Sequence, residues 1–157
     1  MQVTFLCTGK TDGAWLKEGI RHYEQRLRHY VPFELIEVGL QKKWMGLPSG
    51  QQMQKEAALL LPYFAKSDFV VLLDERGKTF RSAGFAGFLQ QQMNRSVRHL
   101  LFVAGGPWGL SDKLAEAAHM KLSLSSMTFS HQMVRLFFVE QLYRAMTILR
   151  NESYHHE

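Results

Sequence analysis

Five short apolar runs, each followed by a longer segment of helical period, constrain this chain more than any other feature. The runs fall at Gln2–Thr8, Phe33–Val38, 69–73, His99–Ala104 and 121–124. Strands buried on both faces read as near-continuous apolar stretches, and parallel strands need a crossover of a dozen or more residues between them. The pattern predicts an α/β domain: a mostly parallel sheet with helices on both faces. With 157 residues and 46% hydrophobic side chains, the chain is read as one domain, 1–157.

The intervening segments supply the helices. Leu16, Ile20, Tyr23, Leu27 and Tyr30 recur at spacings of three and four, the stripe of an amphipathic helix. A second helix is expected after Ser49, with Met53, Ala57, Leu60 and Leu61 inward and Pro62 near its end. Ser82 is the expected N-cap of a third, carrying Phe85, Phe88, Leu89 and Met93 on one face. Ser111 caps a short fourth, and Asp112 suits the positive end of its dipole. Residues 39–50, rich in Gly, Pro and Lys, form a long surface loop. The last helix, 132–150, is apolar on more than one stripe. Read as an outermost C-terminal helix, it needs cover on two sides, which points to a homodimer.

Several function classes drop out. The single Cys7 forms no internal disulfide and has no second cysteine with which to hold zinc, so a reducing compartment is expected. No basic leader or long apolar span is present, and the expectation is a soluble, cytoplasmic protein with no membrane partner. Nineteen Lys and Arg against fourteen Asp and Glu, a formal charge of +5, suit a polyanion such as RNA. Gly9, Lys10 and Thr11 imitate the end of a P-loop, but its first glycine would fall at Thr4, in mid-strand. GGPWG lacks the spacing of a dinucleotide fingerprint. Ser130 beside His131 has no flanking glycines of a nucleophile elbow, and no histidine pair has zinc spacing, so no metal is expected.

In open α/β sheets ligands bind at the carboxyl ends of the strands. Three loops there are chemically suggestive: LDERGK from Leu73, VAGGPWGL around Gly105 and Gly106, and LSLSSMTFSHQ from Leu122. Backbone amides, hydroxyls and an apolar floor suit a nucleoside-like ligand. Each loop taken singly also reads as an ordinary turn, with Ser130 as a helix cap. Glu140 and Arg144, four apart in the favourable order, are a helix-stabilising pair or, beside a pocket, an anion site.

Taken together, LDERGK, VAGGPWGL, LSLSSMTFSH, EQLYRA (140–145) and the terminal Tyr154 and His155 resemble the RlmH family of SPOUT methyltransferases over nearly the whole chain. The resemblance implies a SPOUT-type fold with a C-terminal trefoil knot, a homodimer, and S-adenosyl-L-methionine as cofactor. It implies methylation of N3 of a pseudouridine in helix 69 of large-subunit ribosomal RNA, with the assembled ribosome as the expected partner. It places cofactor contacts on Leu73, Gly105 and Gly106, and on Leu124, Ser125, Ser126, Met127, Thr128 and Phe129. The glycines are expected to let backbone approach the adenosine without a Cβ in the way.

N3 carries an imide proton and is a poor nucleophile until that proton leaves. His155 is the expected base or relay, Arg144 stabilises charge on the uracil carbonyls, Glu140 orients it, and Tyr154 belongs to the same terminal signature. Lys10, Arg21, Arg28, Lys42 and Lys43 are candidates for phosphate contacts, with Trp15 or Trp44 for stacking. Ser130 departs from the family pattern, where proline precedes the histidine. Two alternatives stand beside this reading: a non-catalytic ribosome- or RNA-binding module, and a SPOUT enzyme acting on tRNA.

Overall fold

The computed structural model describes residues 1–154. Its elements are β1 (Gln2–Thr8), α1 (Ala14–Leu27), β2 (Phe33–Val38), α2 (Ser49–Phe64), β3 (Phe69–Thr79), α3 (Ser82–Asn94), β4 (His99–Ala104), α4 (Asp112–Ala117), β5 (Met120–Ser123) and α5 (Met133–Leu149). A short 3-10 turn, Lys42–Trp44, interrupts the loop before α2. The strands form one sheet in the order β2-β1-β4-β3-β5, every neighbouring pair parallel.

The period-2 geometry of the strands divides the core. Val3, Phe5 and Cys7 of β1, with Leu100 and Phe102 of β4, face α1, α3 and α5. Leu6, Leu101 and Val103 face α2 and α4. Phe138 packs on Phe5 and Phe102, with ring centroids 4.4 and 4.6 Å apart.

Four expectations are corrected. The third strand does not end at Leu73 before a turn: β3 runs on to Thr79, and both Leu73 and Lys78 pair with Leu122, so 74–77 form a bulge within one long strand. Gly77 is required there, because a Cβ would lie 2.6 Å from Leu122 N. The fifth strand lies one residue earlier than expected, leaving Leu124 in the following loop. Ser82 is the first helical residue of α3, not its cap; Arg81 takes the cap position, and the Ser82 hydroxyl instead donates to Gln141 Oε1. The last helix is not outermost. From β5 at the sheet edge the chain returns, so that α5 packs against both α1 and α3. Sheet and flanking helices together bury Phe138, Val139, Leu142, Tyr143 and Met146, which accounts for most of its apolar girth without a second chain.

Among the described residues no helix is long and apolar enough to cross a membrane.

Candidate functional site

Because all five strands are parallel, their carboxyl ends open on one edge of the sheet. At the β3, β4 and β5 ends lies a cavity of about 490 Å³, within the size range of nucleotide and drug-sized ligand sites. All three loops singled out in the sequence line it. Leu73, Gly105, Gly106, Leu124, Ser125, Met127, Thr128 and Phe129 are brought together; Ser126 is not among the lining residues. Asp74, Arg76, Trp108, His131 and Val134 line it as well.

The glycine-rich loop after β4 is a tight turn. Gly109 N donates to Gly106 O at 3.0 Å, Pro107 takes the first central position, and Gly109 has φ +79°. The structure gives its bare backbone a steric reason that the sequence did not show. A Cβ on Gly105 would meet Gly109 C and O at 2.7 Å, so Gly105 is dictated by closure of the turn on itself. A Cβ on Gly106 would point at the Glu56 carboxylate, 3.3 Å away, and not at the cavity.

The serine-rich loop is held by its own hydroxyls. Ser123 Oγ donates to Ser125 O at 2.7 Å, Ser125 Oγ accepts from Met127 N at 2.9 Å, and Ser130 Oγ caps α5 by accepting from Met133 N at 3.1 Å. Thr128 Oγ1 donates to Glu75 Oε2 at 2.7 Å, tying this loop to the β3 bulge. In that bulge burial pushes the Asp74 carboxyl upward, but the Arg76 amide and guanidinium and the Lys121 ammonium outweigh it and hold its pKa below the usual range. His131 goes the other way: burial, then the charge of Arg135, depress its pKa against the opposing pull of Asp12, so a neutral imidazole lines the cavity at pH 7.

The residues expected to act on the acceptor form a separate cluster. Arg144 donates to Glu140 Oε1 from Nε at 3.1 Å and Nη2 at 2.7 Å, and the Tyr154 hydroxyl donates to the same oxygen at 3.0 Å. Arg144 also lies over the Tyr154 ring at 4.9 Å. Burial, the Tyr23 hydroxyl and the Glu140 charge raise the Tyr154 pKa, so this phenol stays protonated. None of the three lines the cavity. Residues 140 and 144 stand about 9 and about 15 Å along α5 from Val134, at 1.5 Å per residue. His155 lies outside the described residues.

The basic candidates are also sorted. Lys10 lies in the loop after β1, and Lys42 and Lys43 in the loop after β2, on the edge that carries the cavity. Arg28 follows the end of α1 and therefore lies at the opposite edge.

Two buried charges escaped sequence reasoning. Arg135, fully buried, donates to the carbonyls of Thr8, Gly9 and His131 and to Thr11 Oγ1, and pairs with Glu37 at 3.4 Å. Glu56, 3% exposed, lies behind the glycine-rich turn and accepts from Gln52 Nε2 at 3.0 Å. Both occupy inward positions of amphipathic helices, and a charge at such a position was the available signal.

Among the described residues no group of three or more His, Cys, Asp or Glu side chains is placed to hold a metal ion.

Comparison with known proteins bears on this geometry. A family model described as "Predicted SPOUT methyltransferase" matches residues 1–155. A protein of Christiangramia forsetii named ribosomal RNA large subunit methyltransferase H is 51% identical over 156 residues, 99% of either chain. One of the same name from Parabacteroides distasonis is 48% identical over the whole of both chains. Among solved structures, a "probable methyltransferase" from Bordetella pertussis Tohama I superposes with a TM-score of 0.58 at 13% identity, covering 92% of this chain and 96% of that one. At that identity the likeness is one of fold.

Proposed function

The chain belongs to the SPOUT methyltransferase family, and on that premise we propose that it is an S-adenosylmethionine-dependent methyltransferase of large-subunit ribosomal RNA that methylates N3 of a pseudouridine in helix 69. The observation that carries this reading is the convergence of three loops, far apart in sequence, on one cavity of nucleoside size. The donor fits such a site. Leu73, Leu124 and Val134 offer apolar walls, the Gly105 turn and the serine-rich loop offer backbone and hydroxyl groups, and the neutral His131 adds no positive charge. When bound, the donor supplies an electrophilic methyl group on a positively charged sulfur.

This chain's own residues do the remaining work, which is mainly alignment. Glu140 fixes the Arg144 guanidinium, leaving part of it free to hydrogen-bond a uracil carbonyl as negative charge grows. Tyr154, protonated, orients Glu140. His155 is the base that takes the imide proton. Lys10, Lys42 and Lys43 hold phosphates on the edge that carries the cavity, and the protein acts in the cytoplasm on the assembled ribosome.

The working unit in this reading is a homodimer. Its support is the separation of the Glu140 cluster from the cavity along α5, together with Trp15 at 62% and Phe137 at 37% exposure on the N-terminal halves of α1 and α5. A second copy brings its own cluster to this cavity. The reading also carries a trefoil-knotted C-terminal half, with which the return of α5 from the sheet edge and the backbone contact of Gly77 with Leu122 are consistent.

The deciding experiment uses ribosomes from a strain lacking the protein. Incubated with purified protein and S-adenosylmethionine, they gain one methyl group at that pseudouridine by mass spectrometry. Methylation of tRNA instead supports the tRNA enzyme, and absence of donor binding supports a non-catalytic module. Phe137→Glu converts the dimer to monomer in sedimentation velocity; an unchanged sedimentation coefficient argues against this interface.

A further inference from the structure

We infer that Glu56 is a positioning residue for the methyl donor, acting through the glycine-rich turn that it supports from behind; this rests on the donor occupying the cavity. Glu56 sits on the inward face of α2, 3% exposed, and does not line the cavity. Its carboxylate lies where a Gly106 Cβ would come within 3.3 and 3.4 Å of its two oxygens. Gln52, one turn earlier and equally buried, donates to Oε1 at 3.0 Å and fixes the head group.

A carboxylate removed from water costs stability unless its lone pairs are filled. Here burial raises the pKa, while the Gln52 amide and then the Gly106 backbone amide favour the charged form. The Glu56 carboxylate therefore backs Gly106 on one side, within 3.3 and 3.4 Å of where its Cβ would stand, and on the other the Gly106 carbonyl closes the turn by accepting from Gly109. That orientation decides which way the groups of residues 105–109 point at the cavity. An apolar residue at position 56 would fill the α2–sheet interface at less cost, so the buried acid is explained by what it holds. Gly106 fits the same account, because a side chain there would crowd the carboxylate and push it back from the turn.

The test is calorimetric titration of S-adenosylmethionine into the full-length wild type and into Glu56→Ala, Glu56→Gln and Glu56→Asp, with thermal unfolding of each donor-free protein alongside. The alanine variant is expected to bind at least tenfold more weakly. The glutamine variant keeps an acceptor of the same reach and stays within threefold of wild type. The aspartate variant keeps the charge but withdraws it by one methylene, and binds more weakly than the glutamine variant. In the methylation assay the loss falls on KM for the donor, with kcat at saturating donor within about twofold. A purely structural role lowers the unfolding temperature and leaves donor affinity alone, and that result overturns the inference, as does a glutamine variant as weak as alanine. Should the alanine variant fail to fold, an aspartate variant within threefold of wild type overturns it equally. Absence of binding to the wild type removes the donor reading itself and this inference with it, whereas equal binding to wild type and Glu56→Ala removes this inference alone.

Discussion

Arg135 Nη2 donates to the Thr8 carbonyl oxygen at 2.8 Å, joining residues 127 positions apart in the chain. Through this side chain the first turn of α5 is tied to the ends of β1 and β2, and the His131 carbonyl, on the cavity rim, is tied to the same guanidinium. Replacing Arg135 with Met keeps volume but leaves three carbonyls and the Thr11 hydroxyl without their donor and takes the paired cation from Glu37, which keeps the Thr11 amide. Glu37 retains partial access to water, so the loss is expected at about 3 kcal/mol, the low end for a broken buried pair. Urea unfolding checks it; a loss below about 1 kcal/mol contradicts the assigned role.

Two glycines of one turn separate closure from backbone strain. Gly105→Ala drives a Cβ into Gly109 backbone at 2.7 Å and forces the turn open, whereas Gly109→Ala meets no neighbouring atom and costs only its positive φ, about 1–2 kcal/mol. Calorimetry with S-adenosylmethionine is expected to show at least a tenfold loss for Gly105→Ala and a smaller one for Gly109→Ala. The reverse order is incompatible with the turn described.

His131 gives the site a signed pH dependence. Burial first, then Arg135, hold its folded pKa below the unfolded value of about 6.5. The unfolded chain binds the proton more readily, so this contribution to stability is fully present above about pH 6.5 and is lost as pH falls toward and through the folded value. An NMR titration of the imidazole is expected to give a midpoint below 6.5. The stability difference between wild type and His131→Gln changes in the same window, and a midpoint at or above 6.5 contradicts it.

Tyr154→Phe removes one donor from the Glu140 oxygen that also receives Arg144. A hydrogen bond to a charged group contributes about 1.5–3 kcal/mol, so methylation at saturating substrates is expected to fall about tenfold or more. Donor affinity stays at the wild-type level, because in the roles assigned to them these side chains act on the acceptor base and not on the donor. A loss confined to donor binding assigns Tyr154 to the wrong cluster.

The sheet and the three cavity loops were legible because apolar runs and helical stripes report burial directly, and parallel strands send their carboxyl ends to one edge. The seat of α5 was not. Its apolar residues on several stripes say that two sides are covered, but a helix between two others and a helix at a dimer interface satisfy that equally. Glu56 and Arg135 were passed over for a different reason. Each shares a face with apolar neighbours, Leu60 and Phe64 in one case, Phe138 and Leu142 in the other. Periodicity counts hydrophobic positions and is silent about a charge among them. The turn glycines were legible as a constraint, but one reason for them was not, since the sequence does not show that Gly109 folds back over Gly105.

The central position of α5 has a consequence for how this protein is made. Phe5 and Phe102 lie on neighbouring strands, and the ring that covers both is Phe138. A nascent chain that has emerged only through β4 carries a paired sheet whose aromatic face lacks this ring, and the Phe5–Phe138 contact that completes it joins the first strand to the last helix. Such long-range closure slows folding and leaves sticky surface exposed in the interval. Synthesis of the final helix is thus the event that commits the molecule, and a transcript truncated before it yields an aggregation-prone fragment rather than a smaller working domain.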